Sequence, residues 1–162
     1  MRHMQSEFLV AIDSSPGVLE DFADRYAKKR LGGLASYMVG NRALQVGNFK
    51  KATQYYAIAA NAWEETQLHG VAQLAAAVTT VRDGGDSANL RRKLSALISD
   101  SQQLSIVRAA ALYITALHDF EVKNFAGARE ALRAIEKIPE AGIWQTKASI
   151  LAFSLPESEL NQ

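Results

Sequence analysis

One spacing constrains this chain more than any other property. Gly47, Gly85 and Lys123 lie 38 residues apart, and the same step carries Ala52 to Leu90 to Ala128, Tyr56 to Leu94 to Leu132, and Ala59 to Leu97 to Ile135. Upstream, Gly40, Val78 and Ala116 keep it as well. Self-similarity at a fixed period of this size marks a stack of supersecondary units, none of which buries its apolar face alone. The residue types at these positions fit that reading. A small residue at Gly40 or Ala116 lets a first helix approach its partner closely, and Ala52 or Ala128 does so from the other side. Bulky Phe49, Phe125, Tyr56 and Leu132 then fill the space beside the contact. The middle unit is degenerate, with Leu90 where a small residue is expected.

The elements of the repeat are helices. Ser15-Pro16 places a capping hydroxyl before a first-turn proline, and Lys28-Lys29-Arg30 suit a helix C-terminus, predicting a helix over 16–30. A shorter apolar piece around Phe8, Leu9 and Ile12 precedes it, and the pattern restarts after Gly32-Gly33 and runs to Val46. Gly47-Asn48 ends that segment and opens a helix over 49–63. Further helices are expected at 66–82, closing at Asp83-Gly84-Gly85, at 87–98, at 102–121 behind the Ser99-Asp100-Ser101 caps, at 125–138 behind Asn124, and at 141–153. Alternating apolar and polar runs are scarce, so the expected fold class is all-α, with about eight helices joined by short antiparallel links.

Val39-Gly40-Asn41, Gly47-Asn48-Phe49-Lys50-Lys51-Ala52, Tyr55-Tyr56 and Ala59 together resemble the helix-turn-helix signature of the tetratricopeptide-repeat (TPR) family. Residues 112–138 match it less fully, through Ala116, Asn124-Phe125, Ala128, Leu132 and Ile135. The step of 38 exceeds that family's 34, so links or helices must be longer. The resemblance implies a TPR-like stack of antiparallel helix pairs over 31–154; the helix signals before it give an N-terminal helical segment over 5–30, and Pro156 with Glu157 and Glu159 gives a polar tail over 155–162. Met1-Arg2-His3-Met4 reads as a cloning remnant. The resemblance also implies a concave peptide groove lined by Tyr37, Asn41, Gln45, Thr79, Arg82, Tyr113, Leu117 and Phe120. Tyr37 stands where the carboxylate-clamp branch of the family carries a basic residue, which disfavours capture of a chaperone's C-terminal carboxylate. Three degenerate pairs followed by Gly142-Ile143-Trp144 also resemble the periplasmic domain of YfgM-type ancillary subunits of the Sec translocon. That likeness would place the chain on the periplasmic side of an inner membrane, tethered by an anchor that the sequence does not show; without it the chain reads as cytoplasmic.

Composition excludes much chemistry. With no Cys among 162 residues, disulfides, thiolate metal sites and cysteine nucleophiles are all ruled out. His118 with Glu121 gives one same-face pair and no third ligand, and His69 beside Gly70 reads as a polar residue near a helix start. Acidic residues such as Glu20-Asp21 and Glu64-Glu65 cluster near helix ends, where capping and solvation explain them. Gly84-Gly85 lacks a phosphate-loop context, and no Ser stands in a nucleophile elbow. No apolar run approaches the ~18 residues of a membrane span. An enzyme, a metal and a cofactor are therefore not expected.

Charge is balanced overall but not locally. Residues 1–24 hold five acids and one base, whereas 25–63 hold Arg25, Lys28, Lys29, Arg30, Arg42, Lys50 and Lys51 and no acid. Such a field suits an acidic peptide or an anionic lipid surface, and the plainer account is a solvated face with helix-end lysines. Nucleic acid is the weakest of these partners, because stacking aromatics are not interleaved with the run. Phe22, Phe49, Tyr56, Phe125 and Trp144 are expected in the core. The expected function is a noncatalytic scaffold or adaptor that binds a protein segment. The alternatives are a self-associating, membrane-tethered repeat subunit and a small-ligand helical bundle.

Overall fold

The computed structural model describes residues 2–156, and every regular element among them is an α-helix. Nine helices follow in order among the described residues: α1 (Arg2–Asp13), α2 (Pro16–Arg25), α3 (Arg30–Gln45), α4 (Phe49–Ala62), α5 (His69–Arg82), α6 (Ser87–Ser99), α7 (Ser105–Glu121), α8 (Phe125–Glu136) and α9 (Ile143–Phe153). Of the residues read as a remnant, Arg2, His3 and Met4 open α1, where Met4 packs on the neighbouring core. Most of the polar tail, residues 157–162, lies outside the described residues. The chain forms two compact units, Met1–Leu90 and Arg91–Gln162.

In the first unit α1 packs on α2, α2 on α3, α3 on α4 and α4 on α5. Small residues permit the closest of these approaches. A Cβ on Gly40 would fall 2.7 Å from the Tyr56 ring, so the bare backbone of α3 seats that tyrosine, which is fully buried. Its hydroxyl donates to Asn41 Oδ1 at 2.7 Å, which satisfies the polar end of an otherwise apolar packing element. Phe8, Leu19, Phe22, Ala23, Ala35 and Val39 form a second cluster, with Phe8 and Phe22 ring centroids 5.4 Å apart.

Gly32-Gly33 does not interrupt the helix as the pattern predicts. Both glycines lie buried inside α3 because two groups press on them: the Tyr26 carbonyl oxygen sits 1.8 Å from where a Gly32 Cβ would be, and Trp63 Nε1 sits 2.7 Å from that of Gly33. The preceding helix accordingly stops at Arg25, and Tyr26–Lys29 forms a turn closed by the Lys29 N–H to the Tyr26 carbonyl at 2.8 Å. Gly32→Ala is expected to cost about 2 kcal/mol by overpacking against backbone. Gly17→Ala, with nothing within 4 Å of the new methyl, should stabilise by about 0.5 kcal/mol. Urea unfolding of the two variants checks both signs.

In the second unit α7 packs on α8, and α9 packs on both. Its core comprises Ala109, Leu112, Ala116, Ala131, Leu132, Ile135, Ile138, Ala141 and Ala148. α6 runs through Ser99, the turn after it is closed by Asp100 Oδ1 accepting from the Gln102 N–H at 2.9 Å, and α7 starts at Ser105 rather than 102.

The links of the repeat are alike in detail. Gly47 (φ 75°), Gly84 (φ 86°) and Lys123 (φ 61°) each adopt the left-handed conformation. The next residues, Asn48, Gly85 and Asn124, return their N–H to Ala43, Thr80 and Asp119 carbonyls at 2.8, 2.9 and 2.7 Å, closing the helix ends as Schellman-type caps. Asn48 then accepts from the Lys51 N–H, and Asn124 from the Gly127 N–H, capping the following helices. The middle link departs from the 38-residue register, since Gly84 rather than Gly85 takes the left-handed position. Gly85 instead fills a site where a Cβ would meet the Thr80 carbonyl at 2.6 Å.

Candidate interaction surface

α7 is long, and its two faces are used differently. Ala109, Leu112 and Ala116 are buried in the second unit's core, while Tyr113, Leu117 and Phe120, at i, i+4 and i+7, form a half-buried ridge. α9 supports one end of that ridge: the Tyr113 and Trp144 rings lie 5.5 Å apart. The Lys147 ammonium sits 4.6 Å above Trp144 and 6.0 Å from the Tyr113 ring, a cation–π arrangement. At the other end Phe120 meets the edge of Phe125 at 5.8 Å. The ridge is therefore held by ring contacts while one edge stays open to solvent.

The five groove candidates of the first unit are not presented alike. Tyr37 is wedged between Tyr56 and Trp63, with centroids 5.2 and 5.6 Å away, and burial pushes its phenol above the ordinary tyrosine range. Trp63 is itself buried and donates from Nε1 to the Arg30 carbonyl at 3.1 Å. Asn41 has its Oδ1 engaged by Tyr56. Thr79 is 2% exposed and donates its hydroxyl to the Ala75 carbonyl at 2.7 Å, so the expected groove position is a buried one. Asn41, Gln45 and Arg82 are exposed, and of these only Asn41 is tied to the packing, through its bond from Tyr56. Sequence position places these residues on first helices; the bulk of Trp63 and Tyr56, not visible in the spacing, draws Tyr37 inward. Of the aromatics expected in the core, Phe22 and Tyr56 are buried, whereas Phe49, Phe125 and Trp144 are half-buried.

The basic stretch is not a continuous field either. Lys51 pairs with Glu20 at 2.6 Å and Arg25 with Glu7 at 3.7 Å, while Arg42 donates to the Ile12 carbonyl at 3.3 Å. Tyr26 and Tyr55 donate to Glu7 and Asp24 at 2.5 and 3.1 Å. The acidic start of the chain thus folds against part of the basic stretch that follows it, and pairs two of its seven bases, Arg25 and Lys51. Lys28, Lys29, Arg30 and Lys50 remain exposed.

One polar cluster escaped the sequence reading. Asp119 is 3% exposed, accepts from the Arg91 guanidinium and takes a second hydrogen bond from Asn124 Nδ2 at 3.1 Å. Gly127 makes room for it, since a Cβ there would come within 2.7 Å of Asp119 Oδ2. The signal was available: two repeat steps earlier the equivalent position is buried Ala43, so an acid at 119 needs a buried partner. Arg91-Arg92-Lys93 offers one. Asp119 is thereby a structural anchor of α7. Half-buried His69 likewise serves packing, with Nδ1 2.8 Å from the Ala60 carbonyl oxygen.

Among the described residues no three His, Asp or Glu side chains converge to hold a metal, and no helix is long and apolar enough to cross a membrane. The first unit has an open cleft of 480 Å³ between α1 and α2, floored by Val10, Ala11, Val18 and Phe22. Of its polar lining His3, Ser6, Asp21 and Arg25 are exposed, and half-buried Glu7 is already engaged by Tyr26 and Arg25, which differs from the free convergent groups of a small-ligand site. No protein-family model, curated protein or solved structure matches the chain.

Proposed function

We propose that this chain is a noncatalytic protein-interaction domain, a TPR-like array of helix pairs whose α7 face holds a segment of another protein. The observation that carries this reading is the Tyr113–Leu117–Phe120 ridge, buttressed by Trp144 and Phe125 and still half exposed. Aromatic side chains already fixed by ring contacts lose little conformational freedom on binding, which makes them effective anchors. Lys147 beside the ridge favours an occupant with an acidic side chain next to its apolar anchors. The TPR-like assignment draws support from the matching caps at Asn48 and Asn124 and the close approach at Gly40. The first unit contributes less to recognition, because Tyr37 and Thr79 are spent on packing and Asn41 Oδ1 is engaged by Tyr56.

A photo-crosslinking residue at Leu117 in the full chain tests the reading. The expected result is a discrete crosslinked protein that disappears when Tyr113→Ala and Phe120→Ala are combined, with the helical circular dichroism retained. An adduct pattern unchanged by the double substitution would remove α7 as the recognition face.

A further inference from the structure

α9 carries two apolar seams, and the described part of the chain covers only one. Trp144, Ala148, Leu151 and Leu155, spaced 4, 3 and 4 residues apart, pack against the second unit's core. A second stripe, Ile143, Thr146, Ile150 and Phe153, spaced 3, 4 and 3, has the a/d rhythm of a helix–helix seam. Its large members are 61%, 65% and 93% exposed. A terminal helix of a repeat stack ordinarily turns a polar face outward. The one charge on this helix, Lys147, is folded back over Trp144 and leaves the outer seam uncharged.

We infer that this seam pairs two copies of the chain through antiparallel α9 helices related by a two-fold axis level with residue 148. The seam is complementary to itself in that one register. Ile143 meets Phe153 of the second copy, Thr146 meets Ile150, and both pairings share the same midpoint, as an isologous contact requires. Each pairing sets a smaller residue against a larger one. Lys147 falls level with neutral Ser149, so the helices meet without opposed like charges. Two three-turn helices in this arrangement bury on the order of 1,000 Å², the lower edge of specific interfaces, so the dimer is weak and reversible. The outer seam is separate from the α7 ridge, and the inference does not depend on the proposed function.

Sedimentation equilibrium of the full chain from micromolar to millimolar concentration provides the test. The expected result is a monomer–dimer equilibrium that Ile150→Glu weakens at least a hundredfold and Thr146→Leu tightens about tenfold. Because the residues are exposed, circular dichroism should be unchanged in both variants. The chain has no cysteine of its own, so Ile143→Cys and Phe153→Cys proteins can be mixed under mild oxidation. Antiparallel pairing yields the mixed disulfide in preference to either homodimer. A wild-type monomer at all concentrations would overturn the proposal and mean that another partner covers the seam. A dimer indifferent to Ile150→Glu, or homodisulfides as abundant as the mixed one, would overturn it too.

Discussion

Replacing Arg91 with alanine is expected to lower the stability of the second unit by about 3 kcal/mol, a shift of about 2 M in its urea midpoint. An exposed ion pair would contribute far less. The difference is that Asp119 is buried on the core side of α7, although Arg91 itself is partly exposed, and without the guanidinium Asn124 Nδ2 supplies only a neutral donor. The double variant Arg91→Ala/Asp119→Ala should be more stable than Arg91→Ala alone, because the stranded charge goes with its partner. A single variant within about 1 kcal/mol of the wild type would show that the carboxylate finds solvent.

Tyr56→Ala is expected to cost the first unit about 4 kcal/mol, the range for emptying a buried aromatic site. Tyr56→Phe should cost about 1 kcal/mol, since it removes only the hydroxyl hydrogen bond to Asn41. The gap between these variants separates packing from polar satisfaction. Burial pushes the Tyr56 phenol up to about 12, and burial with neighbouring Asp24 does the same for Tyr55. Each phenol is neutral in its favoured folded form, so its contribution to stability is complete below the ordinary tyrosine value near 10 and is lost as pH rises through about 12. Urea midpoints measured from pH 9 to 12 should fall more gently for Tyr56→Phe and Tyr55→Phe.

The helical content and most links were legible because their signals are local. Asn48 and Asn124 cap helices wherever their side chains reach the third N–H, and a glycine or a basic residue before each supplies the left-handed turn. What escaped depended on neighbours distant in the sequence. Gly32 and Gly33 resemble a stop signal until the Tyr26 carbonyl and Trp63 indole that press on them are in place. Along the sequence the basic stretch runs unbroken, but in space Glu7 and Glu20 pair with Arg25 and Lys51 within it. Thr79 occupies a groove position by spacing, yet its hydroxyl is satisfied within its own helix and the residue is buried. Of the candidate surface, the α7 ridge was foreseeable from the i, i+4, i+7 spacing of Tyr113, Leu117 and Phe120, but Trp144 and Lys147 join it only through the packing of α9.

The asparagine-capped links also bear on how quickly the molecule acquires its structure. α3 with α4, and α7 with α8, are neighbours in the chain as well as in space, so each pair forms by closing a loop of only a few residues, at small entropic cost. Proteins dominated by such local contacts cross their folding barriers in microseconds to milliseconds. The apolar faces that these pairs bury are consequently exposed only briefly during synthesis.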